Sequence, residues 1–212
     1  MELQLALDVV TAERGMEIAK SVADLIDVLE LGTPFAFANP IGVIHEFKEA
    51  LPGVKILADY KILDGGAIIA KMAFDAGADI TTVSARTWDG TIAEVIREAK
   101  GRGCQVLGDM MGVPDGEIAE RGRQMEALGV DYVCVHRAVS VKGASSPEGP
   151  LDAIRKTIGR TKVAVAGGID LDTLKKVVPH RPDLIIAGSS ITSAADPRAV
   201  VVAMREVMDA GK

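Results

Sequence analysis

Cysteine and aromatic residues are scarce in this chain of 212 residues. Only Cys104 and Cys134 occur, far apart and without CxxC spacing, and aromatic residues make up 3% of the sequence. Two distant cysteines indicate neither a disulfide framework nor a zinc site. We therefore predict that both are reduced thiols in the core.

Long apolar runs and an excess of positive charge are also absent. No stretch reaches the roughly 18 consecutive apolar residues of a membrane-spanning helix. The start, MELQLALDVV, lacks the basic residues of a signal peptide. A formal net charge of −6 gives no basic surface for a nucleic acid. We expect a cytoplasmic protein that binds neither membranes nor nucleic acid.

Apolar residues make up 48% of the chain and alternate between two patterns. Amphipathic stretches with helical spacing, such as Ile92, Val95, Ile96, Ala99 and Val200, Ala203, Met204, Val207, separate short β-prone runs. Dividing 212 residues by eight gives about 26 per unit, enough for a strand, a helix and short loops. The pattern predicts a single-domain (β/α)₈ TIM barrel over residues 1–212. Its eight strands are expected at Leu3–Val9, Ile26–Leu31, Val54–Asp59, Asp79–Ser84, Cys104–Met110, Asp131–His136, Lys162–Ala166 and Asp183–Ala187.

A doubly wound open sheet would use the same alternation of strands and helices. Its usual fingerprint is a glycine-rich turn after the first strand, and Asp8-Val9-Val10-Thr11 is not one. The segment Val139–Pro150 has the composition of a loop, and we predict a lid there.

Ionisable residues stand at the carboxyl ends of several predicted strands, where barrel enzymes carry their chemistry. In Leu3-Gln4-Leu5-Ala6-Leu7-Asp8 the leucines share one face, which leaves Ala6 and Asp8 pointing into the barrel. Each charge alone is equally well explained as a strand-terminal group that reaches water or caps a helix. Several buried charges must pair or bind a metal, so their convergence predicts a functional cluster. The alternation brings six side chains to one mouth: Asp8, Glu30, Asp59, Lys61, Asp109 and His136.

Glycine-containing turns follow the seventh and eighth strands, where barrels commonly bind phosphate through backbone N–H groups. Glycine lets the backbone approach an anion closely, although ordinary turns also use it. Because two such turns occur at these strands, we predict a phosphate site formed by Ala166, Gly167, Gly168, Gly188 and Ser189.

The segment Asp59-Tyr60-Lys61-Ile62-Leu63-Asp64 resembles the Asp-x-Lys-x-x-Asp signature of the orotidine monophosphate decarboxylase suprafamily. Within that suprafamily, nearly the whole chain resembles the 3-hexulose-6-phosphate synthases. The segments that carry this resemblance are Leu5-Ala6-Leu7-Asp8, Glu30-Leu31-Gly32-Thr33-Pro34, Ala76-Gly77-Ala78-Asp79, Val165-Ala166-Gly167-Gly168-Ile169 and Ile191-Thr192-x-Ala194-Ala195-Asp196-Pro197.

The resemblance implies an enzyme that joins formaldehyde to ribulose 5-phosphate through a 1,2-enediolate. It implies Mg²⁺, or Mn²⁺ in its place, with Glu30 and Asp59 as ligands. It also implies a homodimer with shared active sites, in which Asp64 reaches the partner subunit's site.

The remaining site residues can be given roles in this chemistry. His136 is the only histidine at a strand's carboxyl end and is our candidate general base. Lys61, held between Asp59 and Asp64, would bind the developing oxyanion, with a structural ion-pair network as the alternative. We expect Asp8 to orient Lys61 or substrate hydroxyls, and Asp109 to bind a hydroxyl or a water.

A sister family, the 3-keto-L-gulonate-6-phosphate decarboxylases, shares the metal and lysine positions. Asp109, Val139 and Ala166 are typical of the synthases at the positions that separate the two families. Arg137, and the segment Ser84-Ala85-Arg86-Thr87-Trp88, depart from the synthase pattern. A non-catalytic barrel that binds a sugar phosphate is the alternative from a different class of protein.

Overall fold

The computed structural model describes residues 1–9, 11–138 and 147–211. Eight parallel strands form a closed barrel in which each strand pairs with the next along the chain and the eighth pairs with the first. This confirms the predicted barrel. The strands are β1 (Glu2–Leu7), β2 (Val28–Leu31), β3 (Lys55–Ile62), β4 (Ile80–Ser84), β5 (Gln105–Asp109), β6 (Tyr132–His136), β7 (Lys162–Ala166) and β8 (Leu184–Ala187).

Helices follow the strands and surround the barrel. Some begin at a clear cap: the Asp170 side chain accepts a hydrogen bond from Thr173 N at 2.8 Å, and Asp196 accepts one from Ala199 N at 3.0 Å. A 3₁₀ turn covers Val178–His180. The helices are α1 (Ala12–Val22), α2 (Thr33–Ala38), α3 (Val43–Ala50), α4 (Gly66–Asp75), α5 (Asp89–Lys100), α6 (Ile118–Leu128), α7 (Glu148–Arg155), α8 (Leu171–Val177), α9 (Ser189–Thr192) and α10 (Pro197–Ala210).

The strands separate two hydrophobic cores because successive side chains point to opposite faces. Leu3, Leu5 and Leu7 are fully buried in the outer core, between the barrel and the helices. Ala6 belongs to the inner core, which fills the lumen. The predicted orientation of β1 is therefore confirmed. The other members of the inner core are Val28, Leu57, Ile80, Leu107, Tyr132, Cys134, Ala164, Ala166, Leu184 and Ile186.

Local details differ from the predictions at three places. Strand β3 runs three residues beyond Asp59, to Ile62. In α10 the buried stripe is Val201, Met204 and Met208, whereas Val200 and Val207 are only partly buried, because the helix is rotated by about one residue from the predicted face. Both cysteines are free, but Cys104 is only partly buried.

The predicted lid at Val139–Pro150 falls largely outside the described residues, which resume at Pro147. Residues Glu148–Pro150 form the first turn of α7, so this part of the segment is helical. Among the described residues, no helix is long and apolar enough to cross a membrane.

Candidate active site

A cavity of about 560 Å³ opens at the carboxyl ends of the strands. The six predicted mouth residues and the five predicted phosphate-binding residues all line it. Asp64 does not line the cavity, and its side chain is exposed to solvent. The predicted cluster therefore exists as a single pocket. Its lining residues from the two groups are Asp8, Glu30, Asp59, Lys61, Asp109, His136, Ala166, Gly167, Gly168, Gly188 and Ser189.

An irregularity near the end of β3 positions Lys61. The register between β3 and β4 shifts between Ala58 and Ile62, and Lys61 has a φ of 42°. Such a left-handed backbone is unusual for a residue other than glycine and points to a constraint at a functional position. Here Lys61 N donates a hydrogen bond to Thr82 Oγ1 at 2.7 Å, which anchors the bend to β4.

Asp59 is surrounded by donors at the centre of the site. It is 3% exposed. Its Oδ2 accepts hydrogen bonds from Lys61 Nζ and from Thr33 Oγ1, the latter at 2.7 Å. Its Oδ1 accepts one from Thr82 Oγ1 at 2.8 Å. This network holds the Asp59 carboxylate in a fixed orientation.

Lys61 lies between two carboxylates, but one of them is not the residue that we expected. Its Nζ contacts Asp59 and lies 3.6 Å from Asp109 Oδ2. Burial by itself would lower the pKa of Lys61, yet the charges of Asp59 and Asp109 outweigh it and raise that pKa above its ordinary value. Within one chain Asp109, and not Asp64, is the second carboxylate beside Lys61, because Asp64 lies beyond the end of β3, in solvent. The expectation that Asp64 acts in the partner subunit's site stays a prediction.

Asp109 on β5, which is buried, pairs with His136 on β6, which is only partly buried. His136 Nδ1 lies 3.0 Å from Asp109 Oδ2 and 3.2 Å from Oδ1, and Asp109 is 3% exposed. Burial alone would raise the pKa of Asp109, but the hydrogen bond and charge of His136, with the charge of Lys61, lower it. Asp109 Oδ1 also accepts a hydrogen bond from Met111 N at 2.9 Å. Both oxygens thus have hydrogen-bond partners within the protein, and the expected contact of Asp109 with a substrate hydroxyl or a water stays a prediction.

This pairing fixes the chemistry that His136 can perform. An ionised Asp109 accepts a proton from Nδ1, so in the neutral form of the ring the other nitrogen, Nε2, is the one that carries a lone pair. His136 lines the cavity. The arrangement suits a general base whose ring is held in one tautomer.

Glu30 is a buried carboxylate with an unbalanced charge. It is 8% exposed, and its pKa is raised well above the ordinary value, first by burial and then by the charge of Asp59 on the adjacent strand. A cation would remove this penalty. Glu30 and Asp59 offer only oxygen ligands, which suits Mg²⁺, an ion that binds one or two carboxylates and keeps open positions for substrate. In the described part of the chain, no group of three or more His, Cys, Asp or Glu side chains forms a complete metal cage.

Asp8 lines the cavity near Gly32 and the glycine turn at Gly188. A Cβ atom at Gly32 would collide with its carboxylate, and one at Gly188 would lie 3.4 Å from its Oδ2. Burial and the charge of Asp59 raise the pKa of Asp8. The charge of Lys61 acts in the opposite direction on that pKa, and the expectation that Asp8 orients Lys61 or substrate hydroxyls stays a prediction.

The two glycine turns lie side by side at one edge of the cavity. Gly167 and Gly168 have φ values of 96° and 67°, which L-residues rarely adopt. A side chain at Gly167 would collide with the Arg137 backbone, whereas Gly168 faces open space. Ser190 Oγ donates to Ile169 O at 2.7 Å and connects the two turns. The arrangement leaves room for an anion against the backbone, and the phosphate site stays a prediction.

Two arginines that depart from the synthase pattern point away from the cavity. Arg137 forms a bidentate ion pair with Asp115, at 2.8 and 3.0 Å, and does not line the pocket. Arg86 Nη1 donates to Gly112 O at 3.0 Å. Both therefore hold the loop after β5. Trp88 is 85% exposed and precedes α5. Val139 lies outside the described residues.

Three site residues escaped sequence reasoning: Gln4, Thr33 and Thr82. Gln4 and Thr82 occupy inward positions of β1 and β4, so the alternation that identified Asp8 also predicts their orientation. They were missed because they carry no charge. Thr33 is the first residue of α2, so the alternation of side chains along a strand cannot predict its contact with Asp59.

The chain matches the model of the orotidine 5′-phosphate decarboxylase / HUMPS family over residues 1–204. It belongs to this family. This HUMPS-family chain is 44% identical to a 3-hexulose-6-phosphate synthase of Bacillus subtilis, with both chains covered in full.

Solved structures also show similarity to the 3-hexulose-6-phosphate synthases. A crystal structure of 3-hexulose-6-phosphate synthase from Salmonella typhimurium superposes with a TM-score of 0.94 at 38% identity, with 100% of each chain covered. A 3-keto-L-gulonate-6-phosphate decarboxylase from Vibrio cholerae superposes at 0.86 and 25% identity, covering 100% of this chain and 98% of its own. The HUMPS-family chain is thus more similar to these synthases than to this decarboxylase.

Proposed function

We propose that this protein is a Mg²⁺-dependent aldehyde-lyase that joins formaldehyde and D-ribulose 5-phosphate to give 3-hexulose 6-phosphate. The observation that carries the proposal is the Asp109–His136 pair, which faces the same cavity as Lys61, Glu30 and Asp59. The cavity thus combines a base with a stabiliser for negative charge. The higher identity to the synthases supports this reaction over decarboxylation.

The reaction begins with proton removal. His136 Nε2 takes a proton from C1 of ribulose 5-phosphate, and the electron pair moves onto the C2 oxygen to give the 1,2-enediolate. C1 then attacks the carbonyl carbon of formaldehyde, and a new carbon–carbon bond forms. The formaldehyde oxygen takes up the proton and becomes a hydroxyl, so atoms and charge balance.

The other side chains stabilise charge and hold the substrate. Lys61 stays protonated because its pKa is raised, and it donates to the enediolate oxygens. Glu30 and Asp59 would hold Mg²⁺, or Mn²⁺ in its place, whose positive charge offsets the charge that develops on the substrate oxygens. Backbone N–H groups near Gly168 and Gly188 bind the phosphate at the far end of the substrate.

We propose a homodimer with shared active sites, because large apolar side chains are exposed on the segments that follow β2, β3 and β4, and Asp64 lies in the second of these segments. Large apolar side chains are rarely this exposed together on a monomer. Thr87 Oγ1 donates to Leu63 O and connects the loop that carries Trp88 to the Asp64 segment. The exposed fractions are 89% for Phe37, 62% for Leu63, 69% for Ile68, 50% for Met72 and 85% for Trp88.

The shared site can be tested by complementation. Lys61→Ala and Asp64→Ala are each expected to be inactive, but a heterodimer of the two carries one site with both residues intact. An equal mixture after subunit exchange should therefore recover about a quarter of the wild-type activity, since half of the dimers are mixed and half of their sites are intact. If labelled subunits demonstrably exchange and no activity returns, Asp64 does not act across the interface.

Proton exchange tests the proposed enzyme against a passive sugar-phosphate binder. With ribulose 5-phosphate and Mg²⁺ in D₂O, and without formaldehyde, the wild type should incorporate deuterium at C1. His136→Gln and His136→Asn should lose this exchange by about 10²–10⁴-fold, yet still bind the substrate phosphate. If the wild type binds ribulose 5-phosphate and exchanges nothing, the proposed function is wrong.

A further inference from the structure

Gln4 is a polar residue in an apolar layer of the barrel lumen. It is 1% exposed and pairs in register with Val28 on β2 and with Ile186 on β8, both members of the inner hydrophobic core. Gln4 also lines the floor of the cavity. An apolar side chain would fill this position without the cost of burying an amide.

The two ends of the Gln4 amide are used unequally. Its Nε2 donates a hydrogen bond to Glu30 Oε2 at 2.5 Å. Its Oε1 is buried and has no hydrogen-bond partner among the described residues. A buried acceptor without a partner is rare and calls for an explanation, of which a functional role is one.

The hydrogen bond restricts the carboxylate that faces the proposed cation site. Glu30 has three rotatable side-chain bonds, and anchoring Oε2 fixes the direction of the other oxygen, Oε1. Because the Gln4 amide is neutral, it orients the carboxylate without adding a charge that would compete with a cation. A lysine at this position would neutralise Glu30 instead.

We infer that Gln4 is a positioning residue that holds Glu30 in the orientation needed to bind a divalent cation. The inference rests on the proposed function, which makes Glu30 a metal ligand. Residues that orient metal ligands typically contribute 10- to 100-fold in metal affinity. Removal of the Gln4 amide should therefore weaken metal binding without removing any ligand.

The test substitutes Gln4→Met, which keeps an unbranched side chain of similar size but removes the donor. Mn²⁺ serves as the probe, and its free concentration is followed by electron paramagnetic resonance with no substrate present. We expect Mn²⁺ to bind about 10- to 100-fold more weakly than in the wild type. In turnover assays the Mn²⁺ concentration for half-maximal activity should rise similarly, while kcat at saturating Mn²⁺ largely returns.

Gln105→Met is the matched control. Gln105 begins β5 at the opposite end of the barrel, where its Oε1 accepts a hydrogen bond from Lys55 at 3.4 Å, and it does not line the cavity. This variant should bind Mn²⁺ as the wild type does. Circular dichroism establishes that each variant is folded at the temperature of the measurement.

The outcomes separate the inference from the function on which it rests. If the wild type binds Mn²⁺ and folded Gln4→Met binds it within about twofold, Gln4 positions nothing and only this inference falls. If Gln4→Met does not fold while Gln4→Asn folds and binds Mn²⁺ normally, Gln4 is a core residue and the inference is again overturned. If the wild type binds no Mn²⁺, the proposal that Glu30 and Asp59 form a metal site is wrong, and the proposed function falls with it.

Discussion

Replacing Asp109 with asparagine should disable His136 without moving it. In the wild type Asp109 Oδ1 accepts from Met111 N at 2.9 Å, while Oδ2 is the oxygen nearest to His136 Nδ1, at 3.0 Å. The asparagine oxygen should stay on Met111 N, which turns the amide NH₂ toward His136. The ring must then accept at Nδ1 and carry its proton on Nε2, the nitrogen that has to take the substrate proton.

The size of this effect follows from the role of the base. A histidine in the wrong tautomer loses most of the 10²- to 10⁴-fold that a general base typically contributes, equivalent to about 3–5 kcal/mol in the barrier. Deuterium incorporation at C1 of ribulose 5-phosphate measures this step directly. Substrate affinity should change little, because the phosphate is held elsewhere in the cavity.

A double variant shows whether Asp109 acts through His136. If it does, Asp109→Asn combined with His136→Asn should exchange no more slowly than His136→Asn alone, because residues that act as a unit give non-additive losses. If Asp109→Asn exchanges deuterium at a rate within about threefold of wild type, Asp109 does not control the tautomer of His136. If the rate losses of the two single variants multiply in the double variant, Asp109 does not act through His136.

Three further predictions follow from the site. EDTA should abolish turnover, and Mg²⁺ or Mn²⁺ should restore it; full activity in chelator would contradict the oxygen-ligand metal site. Because the pKa of Glu30 is raised in the folded protein, the stability of the metal-free wild type should fall as pH rises above the ordinary pKa of glutamate, and Glu30→Gln should lack this decline in thermal melts. Gly168→Ala should cost about 1–2 kcal/mol for its left-handed backbone, lowering the melting temperature by roughly 2–4 °C per kcal/mol; Gly167→Ala, which also collides with the Arg137 backbone, should cost more.

The strand alternation was sufficient to predict much of this site. In a barrel each strand has a fixed period of two, so once the leucines of β1 are assigned to the outer face, Asp8 must point inward. The same reasoning holds for Asp109 and His136, because both end short, uninterrupted strands. Closure of the barrel then brings these strand ends together, regardless of their distance along the chain.

The failures have equally physical causes. Sequence reasoning did not identify Asp109 as the second carboxylate beside Lys61; within one chain Asp64 cannot take that place, because the chain leaves the barrel after Ile62 and carries Asp64 away. The bend at Lys61 depends on a register shift against β4, which no local pattern reports. The contact between Gln4 and Glu30 joins neighbouring strands and involves a neutral group, so charge counting could not find it.

The fate of the formaldehyde carbon tests the proposed reaction most directly. The protein is incubated with Mg²⁺, ribulose 5-phosphate and ¹³C-formaldehyde, and carbon NMR follows the label, with His136→Asn as the control for uncatalysed adducts. The proposed synthase should move the label into the terminal hydroxymethyl group of a hexulose 6-phosphate, and the control should not. If the label stays in formaldehyde while the same preparation releases CO₂ from 3-keto-L-gulonate 6-phosphate, the protein is a decarboxylase and the proposed function is contradicted.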